Sequence, residues 1–234
     1  MKKTVSIHQP HLFPWLNYFN KIAKADVFVI LDDVQFRRRY FQNRAKIKAG
    51  DTEKLITIPL KKHAQSTLIK DIKIEKSKEY ENILKTIESF YKKCPYFNDY
   101  FLDIASFFQK EYTSLSELNI DLLKYFLKIL NIETEIHISS KLKVDEIDPN
   151  KRLLKICQLF GAENYIAGMG GKNYMHIDLF LNNDIEILWQ NYDNGSISYP
   201  QLGKEFVPGL SIIDVLFNVG AKKTRELIFR EWKN

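Results

Sequence analysis

Near its start the chain reads Val5-Ser-Ile-His-Gln-Pro-His-Leu-Phe-Pro-Trp-Leu-Asn-Tyr-Phe19, and then Ala25-Asp-Val-Phe-Val-Ile-Leu-Asp-Asp33. β-Forming residues lead into a polar loop, where Pro10 has no N–H to donate to a central strand. Pro14 suits the first turn of a helix, and Val27–Leu31 is a continuous apolar run, typical of a strand covered on both faces. The stretch therefore predicts a βαβ unit, whose parallel strands place ligands beyond their carboxyl ends.

The composition is that of a globular protein with an excess of basic residues. Of its 234 residues, 45% are hydrophobic and 13% are aromatic, which is enough to form a core. Only 9 glycines and 7 prolines are present, which argues against a disordered or fibrous protein. The formal net charge of +6 favours an anionic partner, such as a phosphate, a nucleotide, a nucleic acid or a membrane surface.

Two features of the sequence lead us to expect a cytoplasmic protein. Cys94 and Cys157 are far apart and have no metal-ligand spacing, so we expect two reduced thiols. The basic start Met1-Lys-Lys resembles the first part of a signal peptide, but the polar residues from His8 to His11 interrupt the apolar region that would follow. No apolar run is long enough for a membrane span.

The middle of the chain predicts an insertion into the α/β pattern. Residues alternate on both sides of Gly50, which predicts an antiparallel hairpin, and alternation at Leu68–Ile74 suggests a third strand. Three amphipathic helices follow, whose aromatic stripes we interpret as core: Lys76–Lys93, Phe97–Lys110 and Leu118–Leu130. We predict a single α/β domain over residues 1–234, with an insertion (a β-hairpin plus helices) at about residues 40–131.

Helix–strand alternation returns after the insertion. We predict strands near residues 134–138, 164–167 and 185–189, in addition to those near 4–8 and 27–31. Asp148-Pro149 predicts the start of a helix that Gly161 ends. Further helices are expected up to Leu181, at Ile212–Asn218 after the cap Ser211, and from Ala221 to Trp232. This order predicts a mostly parallel, Rossmann-like sheet.

Polar residues occupy the carboxyl ends of the predicted strands. In a wound sheet these ends converge on one crevice, and ligands bind there. The residues concerned are His8, Gln9, His11, Asp32, Asp33, Ser139, Ser140, Gly168 to Lys172, Gln190 and Asn191.

Two of the polar segments are candidate anion sites. The backbone of Gly168-Met-Gly-Gly-Lys172 can approach an anion, and a helix N-terminus behind it would add positive potential. Its spacing is neither that of a Walker A loop nor that of the dinucleotide fingerprint, and a simple tight turn is the alternative. Arg37-Arg-Arg39, with Arg44, is either an exposed basic turn or a clamp for phosphate or carboxylate.

The two histidines allow several roles. His8 and His11 could transfer protons, contact phosphates or simply pack in the structure. With Asp32 or Asp33 they could hold a metal, but no compact ligand motif is present, and we predict none. No elbow motif supports a Cys–His or Ser–His nucleophile.

The sequence resembles the WbqC-like family over nearly its whole length. The resemblance is carried by Ile7-His-Gln-Pro-His-Leu-Phe-Pro-Trp-Leu-Asn-Tyr-Phe, Ala25-Asp-Val-Phe-Val-Ile-Leu-Asp-Asp-Val-Gln-Phe, Asn43-Arg44, and Tyr199-Pro-Gln with Leu210-Ser-Ile-Ile-Asp-Val-Leu-Phe-Asn218. Such proteins are associated with gene clusters for bacterial O-antigen (lipopolysaccharide) and other surface polysaccharides. The resemblance implies a cytoplasmic role in making an unusual, amino-modified sugar.

A weaker resemblance is to the nucleotidyltransferases of the HUP superfamily. Those proteins combine an H-x-G-H loop at a strand end with an Ala-Asp step into an apolar strand, similar to Ala25-Asp26 here. His8-Gln-Pro-His11 keeps the spacing but has proline in place of glycine, which puts adenylyl transfer in doubt. We therefore expect an α/β fold with a mostly parallel Rossmann-like (HUP-like) sheet, an inserted β-hairpin and a helical block.

Together these patterns predict a transferase that attaches an acyl or aminoacyl group to the amine of a nucleotide-linked amino sugar. Such a reaction needs a base near the amine and donors for a developing oxyanion. The predicted catalytic residues are His8, His11, Asp32 and Asp33. The predicted substrate-binding residues are Gln9, Trp15, Gln35, Arg38, Asn43, Arg44, Gly168, Gly170, Gly171, Lys172, Tyr174, Gln190, Tyr199 and Gln201.

The donor and two other functions stay open at this point. The donor could be acyl-CoA or aminoacyl-tRNA, or the reaction could use ATP. One alternative is a nucleotide-dependent ligase or adenylyltransferase, and another is a non-catalytic module that binds a sugar nucleotide or a nucleic acid. The basic charge permits a tRNA partner, although no nucleic-acid motif supports one.

Overall fold

A five-stranded parallel sheet is the centre of the protein, which a computed structural model describes over residues 2–192 and 197–232. All of the pairings within this sheet are parallel, and the strand order is β5-β2-β1-β6-β7. A separate antiparallel hairpin is formed by β3 and β4. In chain order the strands are β1 Thr4–His8, β2 Val27–Ile30, β3 Arg44–Ala49, β4 Thr52–Thr57, β5 Glu135–Ile138, β6 Asn164–Gly168 and β7 Glu186–Gln190.

The strand order places a switch point beside β1. The chain moves from β1 outward to β2 and β5, and then returns to the other side of β1 for β6 and β7. Connections from neighbouring strands diverge there, which opens a crevice beyond the carboxyl ends of β1 and β6. The predicted α/β class with a mostly parallel sheet is confirmed.

Helices cover both faces of this sheet. Their positions agree with the predicted helical segments, apart from differences at the ends. They are α1 Leu16–Ala23, α2 Lys78–Tyr91, α3 Phe97–Gln109, α4 Leu115–Ile129, α5 Pro149–Leu159, α6 Ile177–Leu181 and α7 Ile212–Ile228.

The alternation of side chains along the buried strands divides the interior into two layers. Phe28 and Ile30 of β2 pack with α1, α4 and α7 in the larger layer, whereas Val27 and Val29 pack against α5 and α6. Successive side chains of a strand point to opposite faces, so both faces of β2 are apolar. This explains the continuous apolar run that predicted the strand.

Local hydrogen bonds explain why α4 begins earlier than the apolar pattern suggests. Ser114 Oγ accepts a hydrogen bond from the Glu117 N–H at 3.3 Å, and the Glu117 carboxylate accepts one from the Thr113 N–H at 2.8 Å. Reciprocal bonds of this type form a capping arrangement that fixes a helix start. The helix therefore starts at Leu115 and not at Leu118.

Residues 68–74 do not form the third strand that their alternation suggests. A 3₁₀ turn occupies Ile69–Asp71, and only isolated bridges flank it, at Leu68 with Gln35 and at Ile74 with Leu60. Ile69 and Ile72 are both fully buried. A turn with three residues per repeat brings these two side chains to the same face, so it buries the apolar residues as well as a strand would.

The C-terminal helical segments join at Gly220. The sequence predicts two helices there, and α7 indeed consists of two helices that meet at a kink, where Gly220 adopts a φ of 73°. Ser211 precedes the run as predicted, but its Oγ is buried and has no hydrogen-bond partner in the described part of the chain. Within the described ranges, no helix is both long and apolar enough to span a membrane.

Candidate functional site

A cleft of about 1030 Å³ opens at the switch point of the sheet. It lies at the carboxyl ends of β1, β2 and β6, where the sequence predicts a ligand site. The predicted site residues that line it are His8, Gln9, Asp33, Gln35, Gly168, Gly170, Gly171 and Tyr174. His8 and the glycine turn are therefore on the same side of the sheet.

His8 ends β1 at the wall of this cleft. Its Nδ1 is 3.0 Å from the backbone oxygen of Gln9, and its ring packs edge-on against the rings of His11 and Tyr18. Burial lowers the pKa of His8 to about 3, and the nearby charge of Lys21 contributes to this shift. The imidazole of the free protein is thus neutral at physiological pH, which is the form that a general base requires.

Lys21 is a cleft residue that our sequence predictions missed. It lies on α1, is only 4% exposed, and its Nζ donates a hydrogen bond to the Ile7 backbone oxygen at 3.3 Å. Burial lowers its pKa to about 8. The available signal was a lysine in the middle of the apolar residues of α1, since lysine is rarely buried without a reason.

His11 lies behind His8 and does not line the cleft. The rings of Trp15, Tyr18, Tyr40 and Phe41 surround it at centroid distances of 5.4 to 6.2 Å. It is 2% exposed, and neither ring nitrogen has a hydrogen-bond partner within the described residues. Burial lowers the pKa of His11 well below its usual value, so this second histidine is a neutral packing partner of the first.

The two adjacent carboxylates have different surroundings. Asp32 is buried and accepts hydrogen bonds from Ser139 Oγ at 3.1 Å, from the Ser140 N–H at 3.0 Å and from Ser140 Oγ at 2.8 Å. Asp33 lines the cleft and forms an ion pair with Arg152 of α5. Asp32 therefore joins β2 to the turn after β5, while Asp33 holds an arginine at the cleft.

Of the basic cluster, Arg37 is the member at the cleft. Arg37 lines the cavity, and its guanidinium carbon is 4.8 Å from the centre of the Tyr40 ring. Arg38 is exposed and Arg44 begins β3; neither is among the residues that line the cleft. The sequence predicts an anion clamp in this segment, but the run of arginines does not show which side chain faces the cavity.

The glycine-rich segment forms the opposite wall. Residues Met169–Asn173 form a 3₁₀ turn, and the next α-helix, α6, begins only at Ile177. The glycines are therefore not followed directly by an α-helix, and the positive potential that we expected from a helix N-terminus is not supplied at this point. Lys172 is exposed with its Nζ 5.4 Å from the centre of the Trp189 ring, whereas Tyr174 faces the cleft.

Comparison with known proteins now identifies the family. The model of the WbqC-like protein family matches residues 9–226, which include the parts of the cleft described above other than β1, the strand that ends at His8. The chain belongs to the WbqC-like family. It is also 32% identical over 222 residues to the uncharacterized protein Rv1507c of Mycobacterium tuberculosis (strain ATCC 25618 / H37Rv), an alignment that covers 94% of this chain and 95% of the relative. No solved structure matches the chain.

Other predicted site residues of this WbqC-like protein lie outside the main cleft. Trp15 and Gln190 line an adjoining cavity of about 350 Å³. Gln190 Nε2 donates hydrogen bonds to the Asn17 backbone oxygen at 2.7 Å and to Asn20 Oδ1 at 3.0 Å. Asn43 is buried, and its Nδ2 donates a hydrogen bond to the Ile58 backbone oxygen at 2.9 Å, which ties β3 to the segment after β4.

Tyr199 and Gln201 contribute to a second polar cluster, which is centred on Asp214 of α7. The Asp214 carboxylate is fully buried and accepts hydrogen bonds from the hydroxyls of Tyr91 at 2.8 Å and Tyr199 at 2.7 Å, and from Gln201 Nε2 at 3.0 Å. Burial raises the pKa of Asp214. The Lys48 Nζ donates to Gln201 Oε1 at 3.2 Å, so the cluster joins α7 to the hairpin.

The donor sets of the described residues give no metal centre. Across residues 2–192 and 197–232, no group of three or more His, Cys, Asp or Glu side chains could hold a metal ion. Cys94 and Cys157 are buried free thiols, and burial raises the pKa of each to about 12. The histidine and the charged side chains that line the cleft are His8, Lys21, Asp33, Arg37, Asp145, Glu146 and Arg152.

Proposed function

We propose that this WbqC-like protein is a transferase of bacterial surface-polysaccharide (O-antigen) sugar biosynthesis. It attaches an acyl or aminoacyl group to the amine of a nucleotide-linked amino sugar. The observation that supports this best is the meeting of a neutral imidazole, His8, with a buried amine, Lys21, in a cleft that also contains arginines. A base, a cation near it and anion-binding groups are what such a reaction requires.

The arginines and the glycine turn provide contacts for the nucleotide part of the acceptor. Arg37 extends into the cleft without a carboxylate partner in the described structure, and a guanidinium can bind a diphosphate through two parallel hydrogen bonds. The glycine turn leaves room for a backbone approach, because a Cβ on Gly168 or Gly170 would meet no atom within 4 Å. A volume of about 1030 Å³ is at the upper end of the usual range for ligand pockets.

In the proposed reaction the amine of the acceptor attacks the carbonyl carbon of a thioester or ester donor. A C–N bond forms, and the bond from the carbonyl carbon to the sulfur or oxygen of the carrier breaks. His8 takes the proton that the amine loses and returns it to the departing thiolate or alkoxide. The Lys21 ammonium stabilises the negative charge that develops on the carbonyl oxygen.

The charges of the site make His8 a stronger base when the oxyanion forms. In the free protein the pKa of His8 is about 3, because of burial and of the Lys21 charge. An oxyanion paired with Lys21 neutralises that charge, and the second cause of the low pKa disappears. His8 therefore becomes more basic as the tetrahedral oxyanion intermediate forms. This is the step at which the attacking amine must lose a proton.

Nucleotide-activating chemistry is the second candidate. The strand order and the crevice beyond β1 and β6 are those of nucleotide-binding sheets, and His8 stands beside the glycine turn. Its partner His11, however, is enclosed by aromatic rings, so only one histidine of the H-x-x-H pair lines the cleft. An adenylyltransferase or ligase would release pyrophosphate or phosphate from ATP, and acyl transfer would not.

A ligand and product screen tests the proposal. Nucleotide-linked amino sugars should raise the melting temperature of the protein, since a ligand of the folded state stabilises it by mass action. Mass spectrometry should then show an acylated sugar nucleotide when acyl-CoA or aminoacyl-tRNA is added, without release of pyrophosphate. Product formation only with ATP, together with pyrophosphate, would favour the second candidate, and binding without any product would indicate a non-catalytic binding module.

A further inference from the structure

The main cleft and the adjoining cavity share a neck. The cavity of about 350 Å³ and the cleft of about 1030 Å³ have four lining residues in common: His8, Lys21, Gly168 and Gly170. We refer to the cleft as the large compartment, to the adjoining cavity as the small compartment, and to these four residues as the neck. His8, the candidate base, and Lys21, the buried amine, therefore line both compartments.

The two compartments have different chemistry. The large compartment contains charged side chains of both signs, namely Asp33, Asp145, Glu146, Arg37 and Arg152. The small compartment is lined by aromatic and amide side chains, including Trp15, Tyr192 and Gln190. Among the described residues of its lining, Lys21 is a cation and no carboxylate is present. Such a lining suits a neutral or carboxylate-bearing chain better than an ammonium group.

The walls of the small compartment are held in place before any ligand binds. The Tyr192 hydroxyl donates a hydrogen bond to the Leu227 backbone oxygen at 2.8 Å, and Gln190 is fixed by its bonds to α1. The Tyr18 hydroxyl donates to the Gln9 backbone oxygen at 3.0 Å. A pre-formed pocket binds its ligand with little loss of conformational entropy.

The glycines of the neck leave open the space between the compartments. Neither Gly168 nor Gly170 has a positive φ, and a Cβ added to either would meet no atom within 4 Å. At Gly171, in contrast, a Cβ would stand 2.8 Å from the Met175 sulfur, so packing excludes a side chain there. Gly168 and Gly170 are thus required neither by backbone geometry nor by packing, but their small size keeps the neck free.

From this geometry we infer that the neck is the reaction centre between two substrate subsites. The nucleotide sugar occupies the large compartment, and the transferred acyl chain occupies the small compartment with its carbonyl at Lys21. This inference rests on the proposed function and narrows it, because the small compartment selects a neutral or carboxylate-bearing acyl group over an aminoacyl group. Lys21 is accordingly a catalytic residue, since it contacts the reacting carbonyl oxygen.

Simultaneous binding of two small probes tests the subsites without any turnover. Uridine diphosphate serves as a probe of the large compartment and butyrate as a probe of the small one, with binding measured by ligand-observed NMR. Butyrate should still bind when uridine diphosphate is saturating. Its affinity should fall about tenfold or more in Lys21→Met, because a charge-assisted contact is lost. Lys24→Met, at the residue that follows the same helix and is paired with Glu231, is the matched control and should bind butyrate normally.

The outcomes of this test are distinct. Displacement of butyrate by uridine diphosphate, no butyrate binding to the wild-type protein, or unchanged binding in Lys21→Met would each overturn the two-subsite inference. None of these results depends on the protein being an acyltransferase. If no donor gives a product, the proposed function is contradicted. The probe experiment would still show whether the two subsites exist.

A size series at Gly170 then tests whether transfer passes through the neck. Gly170→Ala should fit, whereas Gly170→Leu should block the neck and reduce single-turnover transfer about 100-fold, as expected when reacting groups are held apart. The affinity for uridine diphosphate should be retained in Gly170→Ala, and transfer by both variants is compared at saturating nucleotide sugar, because a larger side chain at this position also faces the large compartment. Equal transfer by the two variants would show that the neck is not the path between the substrates.

Discussion

At the scale of single residues, the site depends on charges in unusual surroundings. Lys21 is nearly inaccessible to solvent, and its Nζ donates a hydrogen bond to the Ile7 backbone oxygen, so its ammonium group is poorly solvated. Such a group lowers the stability of the fold, because burial disfavours the charged form. In return, the cleft contains a cation whose electrostatic interactions are weakened less by solvent than those of an exposed lysine.

The stability effect of Lys21 gives a prediction with a definite sign. The pKa of Lys21 is lowered from 10.5 to about 8, so between these values the unfolded state binds more protons than the folded state. Lys21→Met should therefore stabilise the fold by roughly 3 kcal/mol at pH 7. The advantage should shrink as the pH rises from about 8 to 10.5. Urea unfolding at several pH values measures it, with Lys24→Met as control, and a Lys21→Met protein that is less stable at pH 7 would refute this account.

Arg37 and Arg38 form a natural matched pair. Both are exposed, but only Arg37 lines the cleft. Arg37→Ala should weaken the binding of a nucleotide-linked sugar roughly 10- to 100-fold, the usual effect of losing a charge-assisted hydrogen bond. Arg38→Ala should leave the affinity unchanged. Isothermal titration of both variants checks this, and an equal loss in the two would mean that net charge and not a specific contact attracts the ligand.

At the scale of secondary-structure elements, strong local patterns predicted the structure well. The βαβ unit was predictable because Val27–Leu31 is apolar throughout and because prolines mark the loop before α1. The segment at residues 68–74 was not, because a 3₁₀ turn buries isoleucines three residues apart as effectively as a strand buries alternate residues. The glycine segment likewise satisfied a pattern for a loop before a helix, but its backbone continues as a 3₁₀ turn.

Asp32 supplies a prediction at this scale because it links two elements. Its carboxylate accepts hydrogen bonds from Ser139 and Ser140 and so holds the end of β2 to the turn after β5. Asp32→Ala should lower the free energy of unfolding by about 2–4 kcal/mol, since buried donors lose their acceptor. Chemical denaturation gives the value, and the exposed Asp71→Ala is the comparison. Full stability of Asp32→Ala would return this residue to the list of candidate catalytic groups.

At the scale of the whole molecule, the sequence predicted where the cleft would be but not every side chain that enters it. Parallel strands bring their carboxyl ends together whatever the loops do, so His8, Asp33 and Gly168 could be grouped in advance. The direction of a side chain on a helix or in an irregular loop has no such rule. For this reason Lys21 was missed and Arg38 was chosen from the arginine run in place of Arg37. Tyr199 and Gln201, which were assigned to the site, join the Asp214 cluster instead.

The central claim is that His8 is the proton acceptor of a transfer reaction in the cleft, and single-turnover kinetics of His8→Asn test it most directly. Asparagine preserves much of the size and some hydrogen bonding of histidine but cannot take up a proton near neutral pH. The rate of transfer to a nucleotide-linked amino sugar should fall on the order of 100- to 10,000-fold, with acceptor affinity retained. His137→Asn, on the edge strand β5, should keep the wild-type rate. A full rate in His8→Asn would contradict the account.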